Sequence, residues 1–353
     1  MNQKYTKRET TAGWRRCAGD YPSNTSVINN IKDSKGQRLR NLLSGPGTVL
    51  RPCAYDALSA VLIDRAGFDV IGTTGYGISA SLAGQPDMGF VDSSAMLDRA
   101  RSIIHATDKP VDVDIDTGQG NALNVNWVVK NFIRAGAASL RLEDQEWPKR
   151  CGHMEGKSII PTEDMVRKIE SAVMARDDED ETVLVGARTD ARSVEGTEAV
   201  IDRGRAYAAA GADYVYVEAP QSLEEVSRLT EEIPAYLAFN IIPGGRTPPF
   251  DIEDVESIGV DFLSVPMVAL YPAVKAMQES LRILKEERDI ERIGEMGVSW
   301  SEFNDIVGFD EWRRLELELC SDEDLRRRYG TTDIGAILEG EAEQTERQWA
   351  NAD

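Results

Sequence analysis

Eight short apolar runs, each followed by a longer helical pattern, constrain this chain more than any other feature. The runs are TVLRPCAYD (48–56), FDVIGTTGYG (68–77), PVDVDIDTG (110–118), SLRLEDQ (139–145), TVLVGARTDA (182–191), DYVYVEAP (213–220), AYLAFNII (235–242) and DFLSVPM (261–267). Between them lie stretches such as LNVNWVVKNFIRAG and EAVIDRGRAYAAAG, several ending in the glycine that stops a helix before the next run. Near-continuous apolar strands alternating with helices specify a parallel sheet covered by helices. Eight such units over roughly 240 residues predict a (β/α)8 TIM-type barrel, with an open doubly wound sheet as the alternative. The barrel takes residues 37–288. Residues 1–36 are polar without a sustained period and read as an N-terminal arm. Residues 289–353, with Trp300, Trp312 and Trp349, read as a helical C-terminal extension that contacts the barrel or another subunit.

The net charge of −21 argues against nucleic acid and anionic membrane surfaces as partners. Arginine outnumbers lysine 29 to 11. An acid-rich, lysine-poor surface predicts adaptation to high salt, where carboxylates keep the surface hydrated and salt screens their repulsion; an ordinary acidic protein is the alternative. Cys17, Cys53, Cys151 and Cys320 are widely spaced, with no C-x-x-C pair. Reduced thiols in a cytoplasm are therefore expected. No run has the length of a membrane span, and the first residues lack a secretory apolar core.

Barrel strands should be apolar, yet these end in polar residues. Asp114 and Asp116 end the third run, Glu143 and Asp144 the fourth, Arg188 and Asp190 the fifth, Glu218 the sixth and Asn240 the seventh. In a barrel these ends converge on one pocket. Helix capping would account for Asp144 or Asp190, but not for five consecutive runs ending this way. Asp114, Asp116, Glu143 and Glu218 are oxygen donors suited to a hard cation such as Mg2+ with a chelating substrate; zinc would call for more His or Cys. TTGYGISAS (73–81) and DTGQGNAL (116–123) predict tight loops, either plain turns or loops whose backbone N–H groups approach a carboxylate.

The segment EDQEWPKRCGHMEGK (143–157) predicts a flap over the pocket. Cys151 sits among Lys149, Arg150 and His153, and nearby cations lower a thiol pKa. It reads as a general acid or base, against a buried structural cysteine or a Cys–His nucleophile.

KRCGHM, together with DIDTGQGNALNV, LEDQEWPKRCGHMEGK, ARTDA and VEAP in that order, resembles the isocitrate lyase and phosphoenolpyruvate mutase superfamily, and specifically its lyase branch. The resemblance covers about residues 37 to 285 and implies a Mg2+-dependent carbon–carbon lyase, with Mn2+ as a substitute, acting on a 2-hydroxy di- or tricarboxylic acid. It implies that Asp87, Asp114, Asp116 and Glu143 serve the metal, largely through water. It places Cys151 as the catalytic acid and Lys149, His153 and Arg188 as catalytic residues that bind or polarise the substrate. Thr74, Gly75, Tyr76, Gly152, Arg188, Glu218 and Asn240 fall on substrate-binding positions, with Thr74 where many relatives have serine. The chain's size and acidity are similar to those of compact isocitrate lyases of salt-loving archaea, which points to isocitrate cleavage into glyoxylate and succinate in a glyoxylate cycle. 2-Methylisocitrate, 2-alkylmalates and oxaloacetate are the alternative substrates, and NIIPGGRTPPF in place of a Ser-Pro-Ser segment departs from isocitrate lyases. The resemblance also implies a homotetramer. A nucleotide-dependent oxidoreductase using DTGQG, and a non-catalytic metabolite-binding barrel, are the distant rivals.

Overall fold

Burial on both faces decides what the near-continuous apolar runs become. In the computed structural model, which describes residues 33–338, each run forms a mostly buried strand. They are β1 Val49–Ala54, β2 Ile71–Thr73, β3 Val111–Asp114, β4 Ser139–Glu143, β5 Leu184–Thr189, β6 Tyr214–Val217, β7 Tyr236–Asn240 and β8 Phe262–Val265. All pair in parallel in chain order, and β1 closes on β8 with Val49 opposite Phe262. The open-sheet alternative is thereby excluded. Residues 1–32 and 339–353, with Cys17 and Trp349, lie outside the described residues.

The outward residues of the strands, such as Val113, Leu140, Leu142 and Val185, form the main core with the surrounding helices. Those helices are α2 Ala57–Arg65, α3 Gly75–Ala83, α4 Ser93–His105, α5 Ala122–Arg134, α6 Thr162–Glu179, α7 Thr197–Ala209, α8 Leu223–Glu232, α9 Ile252–Ser257 and α10 Leu270–Glu286. A helix before the first strand, α1 Lys35–Leu43, contributes Leu39 and Leu43 to a second, inner cluster with Tyr214, Tyr216 and Phe262. Arg40 ties α1 to the N-terminal ends of β5 and β6, donating to Thr182 O (2.8 Å), Val183 O (3.1 Å) and Asp213 (2.7 Å). The predicted arm boundary at residue 36 thus falls inside a helix that serves the barrel. The polar composition hid it, because only two leucines of its nine residues face inward. Burying a leucine contributes about 2 kcal/mol, so two of them suffice to dock so short an element.

The inner face also buries charge beneath the pocket. Asp112 accepts hydrogen bonds from Arg51, Arg141 (2.7 Å) and Tyr214 (2.7 Å), and the Arg51 guanidinium lies 3.8 Å over the Phe262 ring. Removing one member of such a network would strand the others in a medium that solvates them poorly.

Beyond the barrel come α11 Ile290–Met296, α12 Trp300–Ile306, α13 Phe309–Leu319 and α14 Asp322–Tyr329. Leu317, Leu325 and Ile337 form a small core of their own, while Trp300 and Trp312 stand 66% and 70% exposed. The acidic run at 176–181 is less repulsive than its sequence suggests. Asp177 pairs with Arg176, Asp178 with Lys130 and Glu179 with Arg134. Among the described residues no helix is long and apolar enough to cross a membrane, and Cys53, Cys151 and Cys320 are free thiols.

Candidate active site

The strand register brings the predicted polar residues to the C-terminal rim of the barrel. Thr74 to Tyr76, Asp87, Asp114, Cys151 to His153, Arg188, Glu218 and Asn240 line one pocket there. Lys149, Asp116 and Glu143 lie directly behind that lining, each nearly inaccessible to solvent.

The glycine-rich stretch after β2 is not a loop, as expected, but the first turn of α3. Thr74 caps it, accepting from Gly77 N (3.3 Å), so the Gly75 and Tyr76 amides are left at a helix N-terminus facing the pocket. The cap also gives Thr74 a structural reason to carry a hydroxyl. The stretch after β3 turns sharply instead, with Asp116 and Gln119 in the left-handed region (φ 50° and 49°). Gln119 faces away from the pocket, accepting from Ser93 N (2.6 Å) and donating to Val91 O (3.2 Å). The Gly118, Gln119 and Asn121 amides are already taken by Ile115 O, Thr117 Oγ1 and Asn124 Oδ1, which argues against the nucleotide reading. Asp144 is a structural hub, accepting from Thr189, the Asp190 amide and Tyr207. Asp190 anchors Lys157 (2.8 Å) and Arg188 (3.0 Å) rather than capping a helix.

The segment after β4 lies pinned over the pocket. Gln145 and Ile159 form a bridge at its base, the Cys151 amide donates to Asp87 O (3.0 Å), and Lys157 donates to Gly152 O. Gly152 permits the approach, since a Cβ there would lie 2.3 Å from Glu218 Cδ and 2.4 Å from Arg188 Nη2.

Charge is dense and balanced. Lys149 Nζ lies 2.7 Å from both Asp87 and Asp116. Burial alone would lower this ammonium, but Asp116 and Asp87 hold its pKa well above the usual lysine value. Burial pushes Asp116 up to about 6, against the pull of Lys149. Burial likewise pushes Glu143 well above the carboxylate range, although Arg188 Nη1 stands 3.4 Å away. For Glu218 the balance reverses: Arg188 and His153 outweigh burial and hold it low. The expected thiolate at Cys151 is not found. Burial, aided by Glu218 and Asp87, pushes the thiol up to about 11. The surrounding cations fail to lower it because Lys149 is neutralised by its two aspartates and Arg150 points into solvent.

Among the described residues, no three acidic, His or Cys side chains converge as direct ligands. The Lys149 ammonium stands in for a cation between Asp87 and Asp116, and neither Glu143 oxygen has a hydrogen-bond partner. This set suits a hydrated Mg2+ reached largely through water.

Sequence reasoning missed Cys53, Thr73, Arg141, Tyr216, Ser264, Ile242, Pro266 and Met267, which complete the lining. Arg141 was findable: it lies two residues before Glu143, on the same face of β4, and its Nη2 reaches Asp114 (3.3 Å). The three apolar residues follow β7 and β8 and carry no chemical signal of their own.

Fold and rim together define the class, a (β/α)8-barrel enzyme with a buried, charged pocket at the C-terminal ends of its strands. Residues 39–285 match the phosphoenolpyruvate phosphomutase family. The chain is 42% identical to the 2,3-dimethylmalate lyase of Eubacterium barkeri, over 79% of this chain and 96% of that protein. It is 36% identical to the 2-methylisocitrate lyase of Aeropyrum pernix, over 85% and 96%. Its fold superposes on oxaloacetate acetylhydrolase with bound 3,3-difluorooxalacetate at a TM-score of 0.77 and 30% identity, over 80% of this chain and 96% of that one. Phosphonopyruvate hydrolase with oxalate and Mg2+ superposes at 0.72 and 27% identity, over 84% and 99%. The chain belongs to the phosphoenolpyruvate mutase/isocitrate lyase superfamily, and it is a carbon–carbon lyase.

Proposed function

We propose that this lyase cleaves a 2-alkylmalate of the 2,3-dimethylmalate type, with 2-methylisocitrate the second choice, rather than the isocitrate expected from chain size and acidity. One observation carries the choice. The pocket wall after β7 and β8 is apolar, formed by Ile242, Pro266 and Met267, where a third substrate carboxylate would need a donor or a cation. An alkyl substituent is at home there. The similarity to 2,3-dimethylmalate lyase supports the same reading.

In the proposed retro-aldol reaction, the Gly75 and Tyr76 amides and the Thr74 hydroxyl hold the carboxylate that stays on the 2-oxo acid. Asp87, Asp114, Asp116 and Glu143 would hold Mg2+ largely through water; when bound, the ion supplies Lewis-acid activation of the substrate hydroxyl. The hydroxyl proton leaves to a carboxylate of the cluster around Asp116, which lies 2.7 Å from the Lys149 ammonium. The C2–C3 electron pair passes to the second carboxylate as an enediolate. Arg188 balances that charge, with His153 and Asn240 as neighbouring donors. Cys151 then donates its proton to the carbanion carbon. For 2,3-dimethylmalate the products are pyruvate and propanoate. The test is a product assay across 2,3-dimethylmalate, 2-methylisocitrate, threo-isocitrate and oxaloacetate with Mg2+ present. The largest kcat/KM is expected with 2,3-dimethylmalate; preference for isocitrate would overturn the assignment.

The exposure of Trp300, Trp312 and Leu319 (77%) on the extension α11–α14 supports a homo-oligomer, proposed as a tetramer, in which the extension covers a neighbouring subunit. Truncation before residue 289 should lower the mass seen by light scattering and depress turnover; an active, full-length monomer would exclude this. The net charge of −21 supports a preference for high salt. Because the acidic run is paired locally, the effect comes from global repulsion, and Tm is expected to rise steadily from 0.01 M to about 1 M salt as the Debye length shrinks. A Tm that falls with salt would reject it.

A further inference from the structure

The loop after β7 grips the segment carrying Cys151 and His153 through a single residue. The Arg246 backbone N–H donates to His153 Nδ1 (2.7 Å), its Nε donates to the His153 carbonyl (3.1 Å), and its Nη2 lies 3.2 Å from Glu155 Oε1. Arg246 is braced from behind by Gln221, in the loop after β6, whose Nε2 donates to the Arg246 carbonyl (2.9 Å). Gly245 makes the approach feasible, because a Cβ there would lie 2.7 Å from His153 Nδ1.

The grip also decides the chemistry of the ring. A backbone amide can only donate, so Nδ1 must accept and the His153 proton sits on Nε2. That nitrogen lies 2.9 Å from Glu218 Oε1 and 3.0 Å from Asn240 Oδ1, on the pocket side. One residue therefore sets both where the 149–157 segment rests and which imidazole nitrogen can donate into the pocket.

We propose that Arg246 is a positioning residue, a latch that holds the 149–157 segment over the pocket and fixes His153 as an Nε2–H donor. Its effect on turnover rests on the lyase reading of the pocket, whereas the latch itself can be read without substrate. The test uses the full chain as wild type, Arg246→Ala, Arg246→Lys and Gly245→Ala. Hydrogen–deuterium exchange follows the 149–157 amides. Histidine-15N NMR reports the tautomer, with His105→Gln assigning the second of the chain's two histidines.

Arg246→Ala should raise exchange at 149–157 by about tenfold and lower kcat by a similar factor, the scale of one lost charge-assisted hydrogen bond. Exchange in the barrel strands should not change. Arg246→Lys should recover part of both effects, and Gly245→Ala should disturb the His153 signal. Unchanged exchange in Arg246→Ala, or an Nδ1–H tautomer in the wild type, would overturn the latch, as would a loss of turnover with exchange unaltered. Raised exchange in an enzyme that turns over none of the four acids named above would uphold the latch and sink the lyase assignment instead.

Discussion

Cys151→Ser is expected to lower turnover by ~10²-fold or more while leaving fold and Mg2+ affinity intact, the scale of a lost general acid. The reason is the state of the sulfur. Burial beside Glu218 and Asp87 pushes the Cys151 thiol up to about 11, so at neutral pH it carries the proton that the proposed mechanism delivers to the carbanion. A serine hydroxyl at the same place holds its proton far more tightly. The exchange preserves shape, and the Cys151 amide keeps its bond to Asp87 O, so the loop geometry should persist. Steady-state kinetics with an accompanying thermal melt would check both halves of the statement. Near wild-type turnover would remove Cys151 from the proton-donor role. A covalent adduct on Cys151, trapped by acid quench and seen by mass spectrometry, would restore the nucleophile reading that a protonated thiol disfavours.

That sulfur also marks where sequence reasoning stops. Spacing put Cys151 among three basic residues, and from spacing alone a lowered pKa was the reasonable expectation. What reversed it was partnership across the barrel: Lys149 is consumed by Asp87 and Asp116, which lie 62 and 33 positions earlier in the chain. Such pairings are set by register, and register is a property of the closed sheet. The barrel was legible because every strand repeats the same apolar signal, and the rim was legible because charged residues interrupt that signal at strand ends. Asp114, Glu143, Arg188 and Glu218 stood out on those grounds. Arg141 interrupts β4 in the same way but sits mid-strand, where a charge looks like noise until Asp114 is seen opposite and Asp112 is seen accepting its hydrogen bond. Ile242, Pro266 and Met267 were invisible, because an apolar residue after a strand announces nothing about a ligand. Helix α1 was hidden for the opposite reason, its two inward leucines outnumbered by polar neighbours.

Asp114→Ala is expected to weaken Mg2+ binding by about 10- to 100-fold, as for the loss of a carboxylate that acts on a metal through water, and to reduce activity at least in proportion. Asp114 occupies the pocket side of β3, accepting from the Asp116 amide through Oδ1 (3.1 Å) and lying 3.3 Å from Arg141 through Oδ2. Arg141 holds the Asp114 pKa low against its burial, so the group is a carboxylate at neutral pH. Alanine would remove a charge and also free the Asp116 amide, which confounds metal loss with local rearrangement. Asp114→Asn separates the two. It keeps an acceptor for the Asp116 amide and nearly the same volume but deletes the negative charge. If charge is what matters, calorimetric titration with Mg2+ should show Asn and Ala similarly weakened. If shape matters more, Asn should bind nearly as well as wild type and only Ala should fail. Mg2+ affinity unchanged in both variants would place the ion away from β3, and the cluster around Lys149 would then be an internal ion-pair network that needs no metal. Arg141 retains Asp112 as a partner in either variant, so neither should unfold the barrel. A thermal melt within a few degrees of wild type would confirm that any lost affinity belongs to the site.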